Sequence, residues 1–94
     1  MNHLTLTATL ISKDLTRYTP AGLPVIHCQL QYDGEVQEAK QPRQVKMKVE
    51  AIAIGLIQEK IAQMDLGVTA VFKGFLAQKN WRNERLVFHI NDIN

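Results

Sequence analysis

Lys79-Asn80-Trp81-Arg82-Asn83-Glu84-Arg85 sets the only tryptophan of the chain among three cations. A flat ring beside positive charge suits a ligand that offers flat bases and negative phosphates. Base–aromatic stacking contributes roughly 1–3 kcal/mol per base. Each neutralised phosphate adds a salt-sensitive electrostatic contribution. More cations recur along the chain: Lys13 and Arg17 after the first apolar run, Lys40 and Arg43 around a polar stretch, and Lys46 and Lys48 two residues apart. If the fold gathers these groups on one side, they make a nucleic-acid-binding surface. The bland alternative for Lys46 and Lys48 is that they keep a strand face solvated and discourage edge pairing. For Trp81 the alternative is a ring folded back over a barrel rim. Its neighbours Asn80, Arg82 and Asn83 are all polar, which favours a projecting, stacking ring.

Other chemistry is poorly supported. His3, His27 and His89 have no ligand-like spacing, and Cys28 has no second cysteine, so neither a metal site nor an internal disulfide is expected. Cys28 falls on an apolar strand face and reads as a small core residue. Neither GxGxxG nor GxxxxGK[ST] occurs. Asp14, Asp33, Glu35, Glu38, Glu59, Glu84 and Asp92 read as solubilising charges in loops or on wet faces. No nucleophile–base arrangement is suggested. The chain reads as a binding module without a cofactor, not as an enzyme.

The elements that must position the cations follow from periodicity. Leu4, Leu6, Ala8 and Leu10 alternate with threonines, the pattern of a half-buried strand over Leu4–Ile11. Thr19-Pro20-Ala21-Gly22 reads as a turn. A second strand spans Val25–Tyr32, with Ile26, Cys28, Leu30 and Tyr32 on one face. Asp33–Pro42 is polar and aperiodic and reads as a long hairpin loop. A third strand spans Arg43–Ala53, with Lys46, Lys48 and Glu50 on its outer side. Ile57, Ile61 and Met64 then recur at helical spacing, and Gly67 stands where a left-handed C-terminal cap belongs. A fourth strand covers Val68–Ala77. Its outer residues Val71 and Phe75 form an apolar patch that the helix or a second subunit would cover. The tryptophan-bearing tip is the next loop. Leu86, Phe88 and Ile90 form the inner face of a fifth strand. Five short strands with a helix between the third and fourth is the element order of an all-β, five-stranded OB-fold barrel. OB domains bind oligonucleotides over strands two and three, with the four–five loop reaching across.

Ninety-four residues make one domain with a thin core, which a dimer interface would supplement. The net charge of +2 is only mildly basic, so binding depends on where the charges sit. No basic leader opens the chain and no apolar run approaches the ~18 residues of a membrane span. A cytoplasmic protein without a membrane partner is the expectation.

Several stretches also carry a family likeness. Asn2-His3-Leu4-Thr5-Leu6-Thr7-Ala8-Thr9-Leu10 leads into Leu15-Thr16-Arg17-Tyr18-Thr19-Pro20-Ala21-Gly22-Leu23-Pro24. His27-Cys28-Gln29, Val36-Gln37-Glu38-Ala39, Arg43-Gln44, Gly74-Phe75 and Leu86-Val87-Phe88-His89 follow in order. The whole chain thereby resembles the primosomal replication protein N (PriB) family, small OB-fold relatives of bacterial single-stranded DNA-binding protein. The resemblance implies a homodimer that binds single-stranded DNA and acts with the PriA helicase in a primosome that restarts stalled forks. It also implies basic residues in the four–five loop, which Lys79, Arg82 and Arg85 match in kind. The sequence departs from the family where aromatics are expected: Gln41 and Lys46 stand there instead. The four–five loop is about two residues shorter and carries Trp81. Stacking is then expected from Trp81, or binding from charge alone. Two other uses fit the same residues: a protein-interaction module of the replication machinery with weak nucleic-acid affinity, and an RNA-binding OB domain.

Overall fold

The computed structural model describes residues 1–94. The alternating run at the N-terminus forms β1 (Leu4–Lys13), which buries Leu6, Ala8 and Leu10. A two-residue strand, β2 (Arg17–Tyr18), precedes β3 (Pro24–Glu38) and β4 (Gln41–Ile54). The helix α1 (Gln58–Gln63) separates β4 from β5 (Thr69–Asn80), and β6 (Asn83–Ile93) completes the chain. Five strands close a ring: β1 pairs with β5 and β3, β5 with β6, β6 with β4, and β4 with β3. Only the β4–β6 contact is parallel. This is the expected OB-fold barrel, with β2 as a small addition on β3. The core is one cluster in which Leu10, Ile26, Leu30, Phe72 and Phe88 are fully buried, and Ile61 of α1 plugs one end.

Both hairpins differ from expectation. Asp33–Pro42 is no loop: β3 and β4 stay paired out to Glu38 and Gln41. Only Ala39 and Lys40 turn the chain, with φ of 53° and 64°, a left-handed pair matching the strand twist. The ribbon projects beyond the core and is wet on both faces, so its sequence lacks alternation although its backbone is fully paired. The tryptophan tip is equally short. β5 runs to Asn80 and β6 starts at Asn83, leaving Trp81 and Arg82 as the turn. Leu86 sits opposite Gln78 beyond the barrel mouth and is 61% exposed, so the expectation that it lines the core fails. Val87, on the other face, is buried instead.

A slip in β1 has the largest consequence. Leu10 pairs with Leu30 but Ser12 pairs with Gln29, so Ile11 is an extra, bulged residue. A one-residue slip sends every later side chain to the opposite face. Ser12 therefore faces outward beside Gln29, and Lys13 turns inward opposite Cys28. The Lys13 ammonium donates to the carbonyls of Ala62 and Met64, both at 2.7 Å, and lies 3.4 Å from that of Ile61. These are carbonyls in and just after the last turn of α1, where a cation is favoured. Lys13 is thus a helix cap, with its ammonium engaged at the end of α1 instead of lying free on the outer face. The helix is also held by Thr16, whose hydroxyl donates to the buried amide oxygen of Gln58 at 2.8 Å. Gly67 has φ +92°, but it lies beyond the helix end and its N–H donates to Leu10 O.

Gly74 marks a second tight place. A Cβ there would run into the carbonyl oxygen of His89, because Asn91 bulges out of the β5–β6 ladder. Replacing Lys13 with Met keeps the stem and removes the donors. It should lower stability by about 1–2 kcal/mol, seen as a melting temperature reduced by several degrees. An unchanged melting temperature would return Lys13 to the solvent-exposed set.

Candidate nucleic-acid interface

The outer face of β3 and β4 carries a cleft of about 390 Å³. The bulge in β1 supplies Ser12, the β1–β2 connection supplies Asp14, and β2 supplies Arg17 on the same side. His27 and Gln29 of β3 and Glu50 of β4 line its middle, and Lys79 of β5 lines the other side. The lining is polar except for Cys28. Beyond Glu50 the same face continues outward through Lys48, opposite Gln31, and Lys46, opposite Asp33. Alternation along β4 therefore makes one path from the ribbon to the β5–β6 hairpin.

The expected cations fall into three groups. Arg17, Lys40, Lys46, Lys48 and Arg82 are exposed and have no ion-pair partner. Arg43, Lys79 and Arg85 are paired. Arg43 Nη1 lies 2.6 Å from Glu38 Oε1 near the ribbon tip. Lys79 Nζ lies 3.5 Å from Glu50 Oε1, and Arg85 Nη2 lies 3.3 Å from Glu50 Oε2. Lys13 is half-buried, with its ammonium held at the end of α1. Arg17 and Lys79 come together around the cleft, whereas Lys40 and Arg43 stand apart at the turn end of the ribbon.

Trp81 projects from its turn at 82% exposure. The guanidinium of Arg82 lies 4.6 Å from the ring centroid, a cation–π contact that covers one face of the indole. The turn is fixed by Asn80, whose side-chain oxygen accepts from the backbone N–H of Arg82 and of Asn83, both at 2.9 Å. That Asx geometry holds the tip without glycine. Next to the hairpin, Phe75 stacks on His89 with centroids 4.8 Å apart. Burial lowers the His89 pKa below its ordinary value. The helix packs on β3 and β4, so it does not cover Phe75.

Sequence reading missed Asp14 and Glu50 as parts of the site. The parity of Glu50 with Lys46 and Lys48 was visible, but its double ion pair depends on β6 lying beside β4, a contact between strands far apart in sequence.

A family model described as another single-strand binding protein family matches residues 2–92. The replication restart protein PriB of Nitrosomonas europaea is 35% identical over 91 residues, covering 97% of this chain and 84% of that protein. The crystal structure of PriB from Ralstonia solanacearum superposes with a TM-score of 0.94 at 38% identity, covering 100% of this chain and 96% of that one. The single-stranded DNA-binding protein of Thermus aquaticus shares the fold at 23% identity, with a TM-score of 0.77 over 49% of its chain. No helix is long and apolar enough to cross a membrane.

Cys28 lies beneath the cleft, 4% exposed. Burial, with a smaller contribution from Asp14, pushes its thiol up to about 12. Thiolate is the reactive form. At pH 8 the folded protein should react with a thiol reagent far more slowly than the denatured chain. Equal rates would contradict the buried placement.

Proposed function

The chain belongs to the replication restart protein PriB family, and we propose that it binds single-stranded DNA across the outer face of β3 and β4. The observation that carries this reading is the run of side chains from Lys46 and Lys48 through the cleft to Arg17 on one side and Lys79 and Arg85 on the other. A strand laid along it would meet phosphates at Arg17, Lys46, Lys48, Lys79 and Arg85, with Gln29 and His27 facing base edges. The exposed ring of Trp81 would stack on a base near the hairpin, and Arg82 beside it would add a cation. Lys40 and Arg43 would serve only a strand long enough to reach the ribbon tip. The protein acts by binding and needs no chemical step or cofactor.

We place this binding in the restart of stalled replication, in the cytoplasm, with the PriA helicase as protein partner. That assignment is supported by the names of the relatives and by the resemblance of the whole chain. A homodimer fits a free edge: residues Leu4–Ala8 of β1 pair with β5 on one side and have no strand on the other. An unpaired edge next to a thin core is a ready template for a second copy. A second reading, a protein-interaction module with weak DNA affinity, is favoured by the ion pairs that occupy Arg43, Lys79 and Arg85. Capture of the helicase with and without single-stranded DNA separates the two.

Fluorescence titration with labelled oligo-dT should show binding that weakens with salt, by about −0.7 in log K per log salt for each phosphate met. Five phosphate contacts, each contributing its full share, set the steepest slope this path allows at about −3.5. Affinity insensitive to salt would refute the electrostatic path. Trp81→Ala should cost roughly 1–3 kcal/mol of binding; no loss would leave the ring without a stacking role. In sedimentation at micromolar concentration, the mass should be near twice 10.7 kDa. A monomer alone would contradict the β1 edge as a dimer surface.

A further inference from the structure

Glu50 is out of place on a face read as a path for an anion. It sits on β4 in series with Lys46 and Lys48, next to β6, with its side chain about one quarter exposed at 24%. Its two oxygens meet two different strands: Oε1 faces Lys79 of β5 and Oε2 faces Arg85 of β6. One carboxylate thus occupies both cations of the hairpin that carry phosphate contacts in the proposed path. The geometry is loose. The contacts are 3.5 and 3.3 Å, longer than the 2.7–2.9 Å typical of strong charge-assisted bonds. Oε2 is buried yet has no aligned hydrogen bond. A pair built for rigidity would satisfy that atom. Lys79 and Arg85 meanwhile remain 42% and 66% exposed, open to a second anion.

We propose that Glu50 is an internal stand-in for phosphate: it holds Lys79 and Arg85 in the free protein, and DNA entry exchanges this carboxylate for backbone phosphate. This rests on the single-stranded DNA reading. It makes Glu50 a brake on affinity. Each phosphate gained at the hairpin costs an ion pair already present, and the displaced carboxylate stays close to the strand. It also grades the path: Lys46, Lys48 and Arg17, which have no carboxylate partner, engage first, and the hairpin engages by exchange. Because the exchange swaps one anion for another, the hairpin contributes less salt dependence than its two charges would alone.

The wild-type chain, E50Q, K79Q and the double variant E50Q/K79Q are titrated with labelled oligo-dT at several salt concentrations. E50Q should bind about five-fold tighter or more at low salt, in keeping with release of two partly exposed ion pairs, and its salt slope should be steeper. K79Q should weaken binding in both backgrounds, and the double variant should return to within about two-fold of wild type, since it removes one charge of each sign. E50Q binding as wild type, or more weakly, would overturn the proposal, because a carboxylate that merely positions Lys79 and Arg85 helps binding. An independent readout uses wild type alone. The ¹³C carboxyl resonance of Glu50 should move as oligo-dT is added; an unmoved resonance overturns the proposal even if E50Q fails to fold. If wild type binds no oligo-dT at low salt, the DNA-binding reading itself falls and this falls with it. If wild type binds and only E50Q fails to tighten, the binding reading survives.

Discussion

Closure of the barrel through β1 is the constraint on which the rest depends. One strand must pair with β5 along its first half and with β3 along its second. It cannot do both in a single flat register, and the extra residue Ile11 absorbs the change. From that bulge follow two placements on opposite faces of β1. Ser12, Asp14 and Arg17 of β2 form one side of the cleft on the outer face. Lys13 swings inward and satisfies carbonyls that α1 leaves open at its end. The same ring of strands brings β6 beside β4, which is how Glu50 comes to face a hairpin about thirty residues further along the chain.

The electrostatics of the face differ from a plain basic patch. A net charge of +2 leaves little excess to spend, and three of the expected cations are held by carboxylates. What distinguishes the face is the order of its charges. Unpaired lysines lead along β4, mixed charges line the cleft, and cations clamped by Glu50 stand at the hairpin. Surface ion pairs of this kind are each worth only about 0–1 kcal/mol, so a polyanion can compete for them. Trp81 adds a ring whose one side is already covered by Arg82. Stacking on the other side would leave the cation–π contact in place.

Much of the fold was legible because its core is made of short alternating runs. Leu6, Ala8 and Leu10 of β1, Ile26, Cys28 and Leu30 of β3, and Phe88 and Ile90 of β6 are buried as their period of two implies. Legibility stopped where one face was not dry. The Asp33–Pro42 ribbon pairs through its backbone, and polar side chains on both faces erase the period. Its turn uses Ala39 and Lys40 at positive φ, types that give no turn signal. Leu86 had the right parity but lay past the barrel mouth, where the face has nothing to pack against. The inward turn of Lys13 was not legible because a bulge changes parity and leaves no mark in composition. The cations of the candidate site stood out by type and spacing, whereas the carboxylate partners of Lys79 and Arg85 depended on strands distant in sequence.

The most direct test follows backbone amide resonances of the folded protein as oligo-dT is added. If the outer face of β3 and β4 is the DNA path, shifts should concentrate at Arg17, Gln29, Lys46, Lys48, Lys79 and Arg85. Thr7 and Val71, on the far side of the barrel, and the helix α1 should stay still. Shifts confined to α1 or to the β1–β5 face, with the cleft unperturbed, would contradict the account.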